Sequence, residues 1–139
     1  MPFKSPFADV EIPDASVYDY LFADLGEDDL GRVAVFDSAT GTETTYGDLR
    51  ARIDAFAGAL AARGIKPGDV VALQCPNTAA FIIAFHGILR AGATATTVNS
   101  LYTPPEIANQ LRDSGAVRYV TVSLLLPGAM AGCSSETVM

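Results

Sequence analysis

The sequence contains only two cysteines and one histidine, so few of its residues suit a disulfide framework, a zinc site or nucleophilic catalysis. Cys75 and Cys133 belong to no C-x-x-C pair, and His86 is not spaced from them as zinc ligands are. We therefore expect two reduced thiols, with Cys75 a small core residue at the end of an apolar strand. His86 lies in an apolar helical pattern without a carboxylate at helical spacing, which favours a structural role over that of a general base.

Basic residues are also scarce, with nine lysines and arginines against sixteen acidic residues and a net charge of −7. They form no cluster, and phosphate backbones are bound by clustered cations, so we expect no nucleic-acid partner. Most of the acidic residues lie within residues 1–50. The Glu27–Asp29 run among them lacks the alternating ligand spacing and turn glycine of a calcium loop, so we expect a solvated acidic loop rather than a metal site.

No apolar run reaches the ~18 to 20 residues that span a bilayer. The longest, Ala79–Leu89, contains His86 and Gly87 and predicts a buried helix, so we expect no membrane span. The N-terminus has no apolar core of signal-peptide length, and a cytoplasmic location is therefore the expectation.

Glycine-rich phosphate loops are missing as well. The sequence has neither G-x-x-x-x-G-K-[ST] nor G-x-G-x-x-G, so it carries no P-loop and no dinucleotide fingerprint. The glycines at positions 64, 68, 92 and 115 fall at predicted helix ends and turns, where backbone geometry explains them. From the residues alone we assign no catalytic, cofactor-binding or metal-binding residue.

The first half of the sequence predicts an arm, a short helix, a hairpin and a longer helix. Three prolines in residues 1–14 indicate an extended arm, and a short helix starting at Ser16 is expected to place Tyr20 and Leu21 on its inner side. Two runs of β-formers flank the turn residues 37–41, which predicts a hairpin. Thr45 is then placed to cap a helix that ends before Gly64. Its apolar stripe is formed by Leu49, Ile53, Phe56 and Leu60.

Strand and helix patterns alternate in the second half. We predict strands over residues 70–75, 94–98 and 118–122, with a helix capped by Asn77 after the first and a helix over residues 104–114 after the second. Thr103, Pro104 and Glu106 give that last helix a capping-box start. Because short loops must return each helix across the sheet, right-handed crossovers and a parallel sheet are expected.

The predicted fold is therefore α/β: a partial doubly wound parallel sheet of βα units with an N-terminal hairpin. After Ser123 the pattern fails, because Pro127 permits only a weak helix and no strand follows. We expect residues 1–14 to be the arm, and the layer formed by the rest of the chain is left unfinished. The open sheet edge and uncovered apolar helix faces predict self-association into a dimer or larger.

Several short segments recur in a definite order and spacing between about Ser16 and Ser123: TYGDL at 45–49, GIKPGDVVAL at 64–73, PN at 76–77, AGA at 91–93 and LYTPPEI at 101–107. Together they resemble the opening portion of the adenylate-forming acyl- and aryl-CoA ligases, with the 4-coumarate–CoA ligases the nearest-looking branch. The resemblance implies that residues 15–139 are the N-terminal part of the large AMP-binding domain of such a ligase, truncated.

The resemblance implies a parent enzyme that joins a carboxylic acid to coenzyme A with Mg²⁺-ATP, through an acyl-adenylate. In that family ATP is held by a Ser/Thr/Gly-rich loop ending in Pro-Lys-Gly, an aromatic-Gly-x-Thr-Glu motif, a ribose-binding Asp and a lysine of a mobile C-terminal domain. None of these motifs is present in this sequence. We therefore expect no cofactor and no activity of this chain alone, with ATP, Mg²⁺, coenzyme A and the carboxylic acid belonging to the full-length parent.

Two other functions stay open at this stage. The chain is alternatively a non-catalytic protein that acts through self-association or docking to another chain. The other possibility is a flavodoxin-like module that binds a nucleotide, and it is supported only by the alternation of predicted strands and helices.

Overall fold

The N-terminal part of the chain has little regular structure. The computed structural model describes residues 4–133, and residues 4–16 contain neither helix nor strand and are exposed. Helix α1 (Val17–Phe22) follows, with the Ser16 hydroxyl accepting from the Asp19 N–H at 3.0 Å as its cap. The predicted helix start at Ser16 is confirmed.

The predicted inner side of α1 is wrong. Tyr20 and Leu21 are 66 % and 50 % exposed, whereas Tyr18 and Phe22 are buried with their rings 5.1 Å apart. These two aromatic residues lie four positions apart and share one helix face, so they bury more apolar area against the next layer than the predicted pair.

The acidic run is not the loop expected from the sequence. It forms the short helix α2 (Glu27–Leu30), whose first turn carries all three carboxylates. Negative side chains are favoured at a helix N-terminus by the peptide dipoles, which explains why an acidic segment is helical here.

The hairpin is confirmed. Strand β1 (Val33–Asp37) pairs antiparallel with strand β2 (Thr42–Thr45). In the turn, the Asp37 carboxylate accepts from the N–H groups of Ala39 and Thr40. Such Asx bonding is the usual reason for aspartate at a turn start.

Helix α3 (Tyr46–Ala62) begins where the capping signal placed it. The Thr45 hydroxyl accepts from the Asp48 N–H at 3.2 Å. Leu49, Ile53 and Leu60 of the predicted stripe are buried. The helix ends before Gly64, whose φ of +85° is the left-handed conformation that glycine adopts without strain.

A three-stranded parallel sheet lies at the centre of the rest of the chain, in the order β4-β3-β5. The predicted parallel sheet is therefore confirmed. Its strands and the helices that follow them are β3 (Val70–Gln74), α4 (Ala79–Arg90), β4 (Thr94–Thr97), α5 (Pro104–Ser114), β5 (Arg118–Thr121) and α6 (Leu126–Gly132).

Helices cover both faces of this sheet. Val71 and Leu73 of β3 pack with α3 and α4 on one face, while Ala72 between them packs with α5 on the other. Helix α6 lies beside α5, and Gly132 approaches Ile107 so closely that a Cβ atom there would sit 2.7 Å from the Ile107 Cβ. Burial on both faces explains the continuous apolar character of β3.

An outer layer covers part of α4. Tyr18 and Phe22 of α1 join Leu49 and Ile53 of α3 in a cluster against which Ile82 of α4 packs. Helix α4, predicted from its apolar run to be buried, thus packs against the sheet on one side and against α1 on the other. No helix within residues 4–133 is long and apolar enough to cross a membrane.

The predicted N-terminal caps of α4 and α5 differ in how well they agree with the structure. Glu106 makes its half of the predicted capping box of α5: its carboxylate accepts from the Thr103 N–H at 2.8 Å and from the Thr103 hydroxyl at 2.7 Å. The prediction that Asn77 caps α4 is wrong, because the N-cap residue is Thr78. Its φ and ψ of −135° and 173° are extended, and the Thr78 side chain makes no capping bond within the described residues. Helix α6 begins at Leu126, next to the predicted proline, and residues 134–139 of the predicted tail lie outside the described residues.

Candidate functional site

A buried polar network lies at the carboxyl ends of the parallel strands, the edge at which open α/β sheets usually bind ligands. Gln74, the last residue of β3, is 2 % exposed. Its amide nitrogen donates to the Asn99 carbonyl at 3.1 Å, and its amide oxygen accepts from the Tyr119 hydroxyl at 2.9 Å. The network joins β3 to β5 and to the loop after β4.

The donors and acceptors of this network are paired: the Gln74 amide nitrogen has an acceptor and its oxygen has a donor. Burial raises the pKa of Tyr119 to about 12, so its hydroxyl stays protonated and donates at neutral pH. The Gln74 amide and the Tyr119 hydroxyl are both hydrogen-bonded, so they hold the strands in place. Both groups are neutral, so they supply no charge to a reacting group. We therefore assign this network to fixing the strand ends. Sequence reasoning missed it; the only signal was a glutamine at the end of an apolar strand.

A groove of about 490 Å³ lies between the β1–β2 turn and the start of α4. It is lined by Val35, Phe36, Asp37, Ser38, Ala39, Asn77, Thr78, Ala79, Phe81 and Ile82. Neither lysine nor arginine is among these lining residues, and the Asp37 carboxylate is already engaged by two turn amides. The groove is mostly apolar and does not suit a triphosphate, which needs cations or clustered amides.

His86 lies on the side of α4 that faces α1. Its ring packs edge-on against Phe22 at a centroid distance of 6.0 Å, and Nδ1 is buried without a hydrogen-bond partner among residues 4–133. Burial lowers the pKa of His86, so the imidazole is neutral near pH 7. A catalytic base is usually oriented by a second hydrogen-bonding group, and no residue between 4 and 133 donates to or accepts from buried Nδ1 of this ring.

The two cysteines are free and lie on opposite faces of the sheet, Cys75 in the cluster with α4 and Cys133 against the cluster with α5. Burial raises the pKa of both thiols. Since the thiolate is the nucleophile, both are less reactive at neutral pH than an exposed cysteine.

The acidic side chains do not converge. Asp29 of α2 pairs with the Arg32 guanidinium at 2.7 Å, which holds the pKa of that carboxyl below its usual range. Within residues 4–133 no three side chains of metal-binding type come together.

The comparison with known proteins agrees with the resemblance. The family model for AMP-binding enzyme matches residues 23–138. The chain is 41 % identical over 138 residues to 4-coumarate–CoA ligase 5 of Oryza sativa subsp. japonica, covering 99 % of this chain and 25 % of that protein. It is 35 % identical over 128 residues to 4-coumarate–CoA ligase 4 of Arabidopsis thaliana, covering 89 % of this chain and 22 % of that protein.

Among solved structures, the fold matches a benzoate CoA ligase from Burkholderia xenovorans LB400 with a TM-score of 0.81 and 32 % identity, over 90 % of this chain and 25 % of that chain. The matched region is the N-terminal domain of adenylate-forming ligases. The chain spans about a quarter of the length of these relatives. It belongs to the AMP-binding enzyme family of adenylate-forming ligases.

Proposed function

We propose that this chain supplies the N-terminal scaffold of an acyl- or aryl-CoA ligase of the 4-coumarate–CoA ligase type. The complete ligase converts a carboxylic acid, ATP and coenzyme A into acyl-CoA, AMP and pyrophosphate. The observation that carries the proposal is the match over 90 % of the chain to the benzoate CoA ligase, with the parallel sheet and its helices in place.

The scaffold alone is proposed to be inactive. Two observations support this: the sequence carries none of the family's ATP-binding motifs, and within residues 4–133 no three side chains of metal-binding type come together. ATP, Mg²⁺, coenzyme A and the acid are therefore assigned to the complete ligase, and we derive no catalytic step from the residues of this chain. We also propose residues 1–14 as an arm, residues 15–139 as part of the large domain, and a cytoplasmic location.

A chimera tests this proposal. In it, this chain replaces the matching quarter of the rice 4-coumarate–CoA ligase 5, and pyrophosphate release is measured with ATP, coenzyme A and 4-coumarate. We expect release that depends on 4-coumarate, because the chain restores the scaffold of the family fold. The control is the rice protein with the same quarter deleted, which should release no pyrophosphate above the blank. A folded but silent chimera would contradict the proposal.

A non-catalytic role is the second candidate, because strand β5 has a free edge in the part of the chain that the structure describes. In that case the chain would act by self-association or by docking to another chain. It predicts that the chain alone forms a specific complex while the chimera stays silent.

A further inference from the structure

The N-terminal arm carries a close group of exposed apolar side chains. Phe7, Val10 and Ile12 lie within six residues and are 82 %, 83 % and 88 % exposed. None of the three joins a hydrophobic cluster among residues 4–133. Single exposed apolar residues are normal on a protein surface, whereas a contiguous exposed group marks a contact surface. The arm therefore presents apolar area that the described residues leave uncovered.

The sequence of the arm separates apolar from acidic side chains. We call residues 7–12 the arm segment, in which Ala8, Val10 and Ile12 alternate with two acidic residues. In an extended chain successive side chains point to opposite sides, so one face of the segment is apolar and the other carries the two carboxylates. This alternation is typical of a strand with one buried face.

Two prolines favour the extended conformation that such a face requires. Pro6 precedes the arm segment and Pro13 follows it. A proline disfavours the helical conformation of the residue before it, so Ile12 is biased towards extended backbone. Six extended residues span about 20 Å, which is the length of an ordinary strand. Within residues 4–133 no strand pairs with the segment.

Helix α1 fixes the end of the arm segment to the body of the protein. Tyr18 and Phe22 of α1 are buried against α3 and α4. The Arg90 guanidinium lies over the Tyr18 ring, 4.7 Å from its centroid, and donates to the Asp54 carboxylate at 3.2 Å. Only residues 13–16 separate the segment from α1, and four residues span at most about 14 Å. The surface that receives the segment must therefore adjoin α1.

The comparisons indicate the origin of that surface. The family model begins at residue 23, after the arm and α1. The alignment with the rice ligase nevertheless covers 99 % of this chain, so the arm is included in it. About three-quarters of the rice protein has no counterpart in this chain. The rice ligase thus contains a counterpart of the arm together with a large body of protein that this chain lacks.

We infer that the arm segment is a docking element, whose face of Ala8, Val10 and Ile12 packs on an apolar strip in the part of the ligase that this chain lacks, next to α1. The inference rests on the proposed function. The two carboxylates of the segment stay in water, and the arm holds the N-terminal scaffold and the rest of the ligase together. A second copy of the chain is a different occupant, which the test below distinguishes.

Amide hydrogen exchange compares the arm in two molecules. These are the chain, at a concentration where sedimentation shows a monomer, and the rice chimera described above. The amides of residues 8–12 should exchange at least about tenfold more slowly in the chimera, because a docked extended segment pairs its backbone groups. Equal exchange of these amides in the two molecules would overturn the inference.

Two double variants on opposite faces of the arm segment give a second readout. Val10→Ser with Ile12→Ser removes the apolar face, and the matched control, Asp9→Ser with Glu11→Ser, changes the acidic face. In the chimera the first variant should abolish the added protection and the second should leave it unchanged. All four side chains are exposed, so neither variant should shift the urea midpoint of the chain alone, which separates lost docking from lost folding. Equal effects of the two variants on the chimera would refute the assignment of the docking face.

These measurements do not depend on catalysis. A chimera with a protected arm but without pyrophosphate release would contradict the proposed function and leave the docking assignment supported. Pyrophosphate release by a chimera whose arm stays unprotected would overturn the inference and leave the proposed function supported. Protection of the arm that follows self-association of the chain and is absent from the chimera would identify a second copy as the occupant and overturn the inference.

Discussion

Gly87 marks the closest approach of helices α3 and α4, and its replacement by alanine is our most specific stability prediction. A Cβ atom at this position would lie 2.7 Å from Cδ1 and 3.1 Å from Cβ of Phe56, and 3.3 Å from the Ile53 carbonyl oxygen. The Phe56 ring can rotate, but its Cβ and the Ile53 backbone belong to a helix that packs along α4. The methyl group must therefore push the two helices apart.

Gly58 provides the matched control. It lies in the middle of α3, is exposed, and a Cβ atom there would meet nothing within 4 Å. Alanine in place of a helical glycine gains about 0.5–1 kcal/mol at either position. At Gly87 this gain is opposed by overpacking, which costs about 1–3 kcal/mol. We expect Gly58→Ala to raise the free energy of unfolding and Gly87→Ala to lie about 1–3 kcal/mol below it.

Urea unfolding followed by circular dichroism measures both free energies. The two variants should be compared with the parent chain at one protein concentration, since any association makes stability concentration-dependent. Equal m values are required for the midpoints to report stability. If Gly87→Ala is as stable as Gly58→Ala, the packing of α3 on α4 differs from that described here.

Three further predictions concern a cap, a buried histidine and the oligomeric state. Thr103→Ala should cost about 1 kcal/mol in urea unfolding, because it removes the hydroxyl that donates to the Glu106 carboxylate at 2.7 Å. The Thr78 hydroxyl donates only to the Pro76 carbonyl at 3.4 Å, so Thr78→Ala should cost less. Burial lowers the pKa of His86 below 6.5, so protonation of His86 does not affect the free energy of unfolding above pH 6.5 and destabilises the fold as the pH falls from there to the lowered pKa. His86→Gln should flatten this part of the pH–stability curve. An unchanged curve would count against a buried neutral imidazole. Sedimentation at micromolar concentration should show a dimer or larger, because the β5 edge is free and Phe85 and Leu89 are only partly covered; a monomer with a cooperative thermal transition would contradict this.

Much of the fold follows from local signals in the sequence. The Thr45 and Thr103 caps act within four residues of themselves, and glycine with a positive φ ends the helices that they start. The strands follow from short apolar runs between turn residues. Such signals need no knowledge of the rest of the molecule, and the structure confirms them.

The features that sequence reasoning missed depend on distant partners or on very short elements. The Gln74–Tyr119 hydrogen bond joins residues 45 positions apart, and neither residue shows this pairing locally. Helix α1 has only six residues with aromatic rings on more than one side, so its buried face is decided by what packs on it. Helix α4 begins one residue later than predicted, because its N-cap residue is Thr78 and not Asn77.

The candidate site shows the same division. The absence of phosphate-binding motifs is a property of the sequence, whereas the polar network around Gln74 is not. It depends on the Asn99 carbonyl and the Tyr119 hydroxyl reaching the Gln74 amide. Both contacts are tertiary arrangements that periodicity does not predict.

Carboxylate-dependent pyrophosphate release, measured side by side for this chain and for the rice chimera, tests the central claim most directly. With ATP, Mg²⁺, coenzyme A and 4-coumarate, the chain alone should match the no-enzyme blank, because the sequence carries none of the family's ATP-binding motifs. The chimera should release pyrophosphate in proportion to its concentration. Release by the chain alone, or a folded chimera that stays at the blank, would contradict the account of this chain as the scaffold of a ligase.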